Sequence, residues 1–131
     1  MTEDEALRAA NQAYYLAFAR HDAEGMARLW AQDGVSCIHP GWPPLFGRDA
    51  VLSSYREIFR NPLQDEIELG AETVICAGDD GRIVCIERIG GSRLVATNWF
   101  RRVDSQWLLV HHQASPLAAG PAEVRTSATR H

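Results

Sequence analysis

Lysine is absent from this chain: all thirteen formal side-chain bases are arginine, set against seventeen acids for a net charge of −4. No basic block or stripe appears, which argues against a nucleic-acid binder, since that needs clustered cations to displace counterions. Long apolar runs are missing as well, and none approaches the ~18 residues of a membrane-spanning helix. The opening residues, Met1-Thr-Glu-Asp-Glu-Ala6, are acidic and lack the apolar core of a secretory signal. A cytoplasmic protein that binds neither nucleic acid nor membrane is expected. Cysteine is sparse: Cys37, Cys76 and Cys85 lie apart in apolar runs and form no CxxC pair. That suits buried free thiols in a reducing compartment better than a redox pair. The GxSxG, GxGxxG, Walker A and HExxH patterns are all absent, and neither cofactor nor metal is expected.

What is present fits one domain: 131 residues, 46% hydrophobic and 23% charged. Residues 3–20 have helical periodicity through Ala6, Leu7, Ala10, Tyr14, Ala17 and Phe18, with Thr2 and Glu5 in capping-box spacing. Asp22 can cap a short helix through Trp30. Val35–His39 follows as a strand, and Pro40-Gly-Trp-Pro-Pro44 is a rigid loop that cannot extend a ladder. A third helix spans Asp49–Arg60 and ends at Asn61-Pro62. Strands over 66–77, 82–89, 93–103 and 107–116 then form a meander, so helices on one sheet face give an α+β architecture. Residues 1–117 make the domain. The Ala-, Gly- and Pro-rich stretch 118–131 is expected to be a flexible tail.

Alternation along strands places Leu108, Val110, His112 and Ala114 on one face of the last strand, opposite His111 and Gln113. By the same alternation Asn98 lies with Leu94, Ala96 and Phe100, and Arg88 with Val84 and Ile86. A polar group on an apolar face needs a partner, so each of these is either a satisfied core residue or a group facing a ligand. Three converging on one face point to a pocket. Tyr14, Trp30, Trp42 and Tyr55 would add aromatic walls, and His39 would stand at the mouth as a general base, since an imidazole's unperturbed pKa of ~6.5 suits that work near neutral pH. Glu87 is out of phase with Arg88, so His39, His112 and Glu87 do not form a metal set. Apolar residues on both strand faces predict that a second copy covers the outer one, giving a homodimer.

Four stretches carry a family resemblance: Arg20-His-Asp-Ala-Glu24 through Leu29-Trp-Ala-Gln-Asp33, Cys37-Ile-His-Pro-Gly-Trp-Pro-Pro-Leu-Phe-Gly-Arg48, Asn98-Trp-Phe-Arg-Arg-Val-Asp104, and Trp107–Ser115. Together they resemble the nuclear transport factor 2-like superfamily, which includes ketosteroid isomerases, SnoaL-like polyketide cyclases, scytalone dehydratase and the calcium/calmodulin-dependent kinase association domain. The resemblance implies a cone-shaped curved antiparallel sheet wrapped by three N-terminal helices around a deep apolar pocket. His39, before Pro40, matches the position of the isomerase carboxylate base. Tyr14 resembles the isomerase's helix-borne oxyanion donor, and Asn98 is the nearest polar substitute for its protonated aspartate. The final strands are similar to the kinase association domain, with Gln113 in place of a histidine and Arg88 like a pocket arginine.

Two functional classes follow. In one, the pocket is that of an isomerase, cyclase or dehydratase acting on a mostly apolar carbonyl compound, with His39 as base and Tyr14 and Asn98 as oxyanion donors, while Trp30, Trp42, Tyr55, Arg88 and His112 bind the ligand. In the other, the domain only binds a ligand, carbonyl or carboxylate, or serves as an association module. His39 is expected outside the packed core, with desolvation and the like charge of Arg88 both lowering its pKa.

Overall fold

The computed structural model describes residues 1–64 and 66–118. Helix α1, Glu3–Ala19, starts at the Thr2/Glu5 capping box, with three acidic residues in its first turn. It buries Leu7, Asn11, Tyr14, Tyr15 and Phe18. Asp22 caps α2, Ala23–Leu29, by accepting from the Gly25 N–H at 2.9 Å. After strand β1, Ser36–Ile38, the Pro-rich loop leads to β2, Leu45–Phe46, and α3, Arg48–Phe59. The Arg48 guanidinium donates to the carbonyls of Ala27, Trp30 and Ala31, satisfying the end of α2 and tying α3 to it.

The meander comprises β3 (Ile67–Ala77), β4 (Asp80–Ile89), β5 (Ser92–Val103) and β6 (Gln106–Pro116). Its hairpins turn at Gly78-Asp79, Gly90-Gly91 and Asp104-Ser105. Asp104 and Ser105 both have positive φ, 49° and 68°, as a two-residue turn of matching twist requires. The six strands form one curved, open sheet in the order β2-β1-β6-β5-β4-β3, with the three helices packed on one face around Trp30, Tyr14, Tyr55 and Phe100.

Three expectations need correction. The sheet is not wholly antiparallel, because β1 runs parallel to β6, pairing Cys37 with His112; the long path through α3 and the meander permits a parallel return. Strand β2, inside the loop after Pro44, has no alternation to announce it. Of the three thiols, Cys37 and Cys85 are buried but Cys76, near the end of β3, is exposed. The expected tail lies, apart from Ala118, outside the described residues.

Candidate functional site

Two strand phases decide what faces the helices. On β4, Ile83, Cys85 and Glu87 turn inward, while Val84, Ile86 and Arg88 lie on the outer face. Arg88 is therefore exposed and takes no part in a pocket, contrary to its expected role. Val84 and Ile86 make that face apolar over its middle, but Asp80 and Arg82 share its phase with Arg88 and mark it as the outer one. On β6, a bulge places Trp99 opposite His111 but Phe100 opposite Leu109, leaving Val110 extra. Trp107 and Leu109 consequently point inward together with His112 and Ala114, so Leu108 and Val110 do not share the face of His112. His112 and Asn98 face the helices, directly opposite one another in the β5–β6 register.

The inward groups surround a cavity of about 200 Å³ lined by Tyr14, Phe18, His39, Pro40, Trp42, Ile58, Gln64, Glu87, Ile89 and His112. A surface groove of about 550 Å³ beside Phe46 is larger, but its arginine, Arg48, is committed to the carbonyls of α2. Trp30 does not reach the cavity; it packs in the core against Tyr55, with ring centroids 6.0 Å apart. Tyr55 stands behind Tyr14, their hydroxyls 2.7 Å apart. Trp42 lies edge-on to His39 at 5.0 Å.

His39 is not at an open mouth. It is only 4% exposed, and its Nε2 lies 2.8 Å from Ser54 Oγ. Ser54 already donates its single hydroxyl proton to the Val51 carbonyl at 2.6 Å, so it accepts from His39. The imidazole thus carries its proton on Nε2 and leaves the Nδ1 lone pair unprotonated. Desolvation alone pushes the His39 pKa down to about 4; Arg88, on the other face, contributes nothing.

His112 has the opposite tautomer. Its Nδ1 lies 2.5 Å from Asn98 Oδ1, while the Asn98 amide donates to Asn11 Oδ1 at 2.8 Å and to the Tyr15 hydroxyl at 3.0 Å. With Oδ1 the acceptor, His112 donates from Nδ1 and keeps a lone pair on Nε2. Burial, then the nearby His39 and His111, push its pKa down to about 3. Its ring centroid lies 6.1 Å from that of His39 and 5.2 Å from that of Tyr14.

Asn98 has no hydrogen left for a ligand, because both are spent on Asn11 and Tyr15. It is a positioning residue, not an oxyanion donor. Through Asn11 the polar chain continues to Glu72, which accepts from Asn11 Nδ2 at 2.8 Å. Tyr15, absent from the sequence expectations, donates to Glu87 Oε2 at 2.6 Å. Glu87 is 2% exposed, and desolvation raises its pKa against the opposing hydrogen bond from Tyr15. Desolvation also raises the hydroxyls of Tyr14 and Tyr55 well above the ordinary phenol range and the Cys37 thiol to about 12, so all three are protonated at neutral pH. Although His39, His112 and Glu87 border one cavity, no group of three or more potential ligands has metal-holding geometry among the described residues.

The family model of the SnoaL-like domain matches residues 7–119. Among solved structures, the chain is similar to a proposed dehydratase of the nuclear transport factor 2-like family from Streptomyces avermitilis: 37% identity, 88% of this chain and 96% of that one, TM-score 0.80. It is also similar to a proposed calcium/calmodulin-dependent protein kinase type II association domain from Thiobacillus denitrificans, at 34% identity over 85% and 94% of the two chains, TM-score 0.74. A nuclear transport factor 2-like protein of unknown function from Pseudomonas putida, 20% identical over 94% of each chain with TM-score 0.78, shares the fold. No protein of curated function matches. On the match to residues 7–119, the chain belongs to the SnoaL-like domain family.

Proposed function

We propose that the cavity binds a small, mostly apolar carbonyl compound and moves a proton beside the carbonyl, as an isomerase or dehydratase does. The observation that carries this reading is the pair of neutral imidazoles, each with one N–H spent on a protein acceptor and the other nitrogen left as a proton acceptor. His39 is the general base and His112 the second proton carrier. Tyr14, with Tyr55 2.7 Å behind it, donates to the carbonyl oxygen as negative charge develops there. A site without a buried cation leaves that hydroxyl as the main stabiliser of the enolate. Likeness to the Streptomyces dehydratase supports the elimination branch of this chemistry.

The test is solvent deuterium exchange at the α-carbon of a panel of β-hydroxy ketones and β,γ-enones, followed by NMR. Exchange in the native protein, lost in both His39→Ala and His112→Ala, is the expected result. Ketones that bind without exchange would establish the second reading, a non-catalytic binding or association module. That reading draws on the likeness to the Thiobacillus association domain. In either case we propose a homodimer formed through the outer sheet face, where Val84, Ile86, Val95 and Trp99 are only partly covered.

A further inference from the structure

We propose that Glu72, on β3 and outside the cavity, is a positioning residue: its carboxylate fixes the sense of a hydrogen-bond chain that decides which nitrogen of His112 faces the ligand as a proton acceptor. This rests on the working role proposed for His112 above, but its readout does not need turnover. The chain runs in one sense from the cavity to the edge strand. His112 Nδ1 donates to Asn98 Oδ1, Asn98 Nδ2 to Asn11 Oδ1, and Asn11 Nδ2 to Glu72 Oε2. Both amides are fully buried, so protein partners set their orientation. An amide can turn over in place and exchange its donor and acceptor ends. If both turned together, the bond between them would survive with donor and acceptor exchanged. His112 would then receive a hydrogen bond at Nδ1 and carry its proton on Nε2. The far end of the chain forbids this, because a turned Asn11 would aim its carbonyl at a carboxylate, which accepts and cannot donate.

The other branch from Asn98 passes through the Tyr15 hydroxyl to Glu87. Burial favours the protonated form of that carboxyl, which both donates and accepts, so this branch imposes no sense. Glu72 differs: Arg8 Nη1 stands 3.8 Å from its other oxygen, Oε1, and balances its charge. The backbone is bent to bring it there. Gly70 faces Ile86 and Thr73 faces Val84, so Ala71 and Glu72 together oppose Cys85 in a bulge. Under unbroken alternation Glu72 would share the outer face with Val84 and Ile86; the bulge turns it inward to α1. Ala71 holds a φ of 51°, a left-handed conformation that a residue with a Cβ adopts at a cost. The strand thus carries strain at the place where it delivers a carboxylate to the buried amides.

Long-range ¹H–¹⁵N NMR of Glu72→Gln tests this, because an amide at position 72 can donate to a turned Asn11 and so permits both senses. His112, protonated on Nδ1 alone in the native protein, should divide between the two tautomers. Its Nε2 resonance should move from the unprotonated toward the protonated position. Glu72→Ala removes the acceptor outright and should shift the same way, which guards against a folding defect of the amide variant; circular dichroism checks both. Arg8→Gln keeps the carboxylate and should leave the native tautomer. With any ketone that exchanges, kcat in Glu72→Gln should fall by about twofold, the share of rings in the wrong tautomer when the two senses are equal, with KM unmoved. His112 still wholly protonated on Nδ1 in both Glu72 variants, or a tautomer shift in Arg8→Gln, would overturn the proposal. A shifted tautomer in a protein that exchanges no α-proton upholds the role of Glu72 and removes the proposed turnover. Exchange with the tautomer unmoved does the opposite.

Discussion

At the scale of single residues, the environment of His39 matters more than its place in a motif. Its position before Pro40 is legible in the sequence, but its depth is not, because the Ser54 partner comes from α3 and tertiary contacts are not written in a strand's alternation. That depth changes a prediction. A histidine at an exposed mouth would cost no more than about 1 kcal/mol on removal. One that is buried, hydrogen-bonded and packed edge-on against Tyr55 at 4.9 Å should cost roughly 1–3 kcal/mol as His39→Ala, besides any turnover found. Urea denaturation of the variant checks this, and a midpoint unchanged from wild type would show that the ring contributes no stability. The phase of Glu87 was legible, because Asp80 and Arg82 share a face with Val84, Ile86 and Arg88 and so leave Ile83, Cys85 and Glu87 inward; its partner Tyr15, across the core on α1, was not.

Among elements, the helices were the most legible, since their caps are local: Thr2 with Glu5 and Asp22 with Gly25 each lie within one turn. The four strands of the meander were legible, but β2 was not, and neither was the register, because the extra residue Val110 inverts the alternation midway along β6. That bulge is what lets Trp107 pack under α1 while His112 still faces the cavity. The crossing of α1 over β4 is equally tight. A methyl group on Gly81 would stand 2.7 and 2.8 Å from the two Leu7 methyls and 3.2 Å from the Trp107 ring. Gly81→Ala should therefore destabilise by about 1–3 kcal/mol through overpacking. Combined with Leu7→Ala the two losses should sum to less than their separate values, since each relieves the other. A double-mutant cycle by thermal or urea unfolding measures this, and strict additivity would mean that α1 shifts away instead.

For the whole molecule, two expectations follow. Light scattering at micromolar concentration should give twice the monomer mass, and Trp99→Glu, on the outer sheet face with Arg82 stacked 4.8 Å away, should give monomers; a monomeric wild type would remove the dimer. Stability should fall as pH drops from about 6.5 toward 4. His39 and His112 titrate lower in the folded state than unfolded, so the unfolded chain takes up more protons across that window. Each contributes at most on the order of 3 kcal/mol. Glu87 opposes them, because its raised folded pKa favours the native state as pH falls, but it is one group against two. Chemical denaturation at a series of pH values checks the sign. The most direct test of the site is long-range ¹H–¹⁵N NMR of the five imidazoles. His39 should appear neutral with its proton on Nε2, and His112 neutral with its proton on Nδ1, both unchanged from neutral pH down to pH about 5. Either ring titrating near 6.5, or both holding the same tautomer, would contradict a cavity built on two opposed proton acceptors.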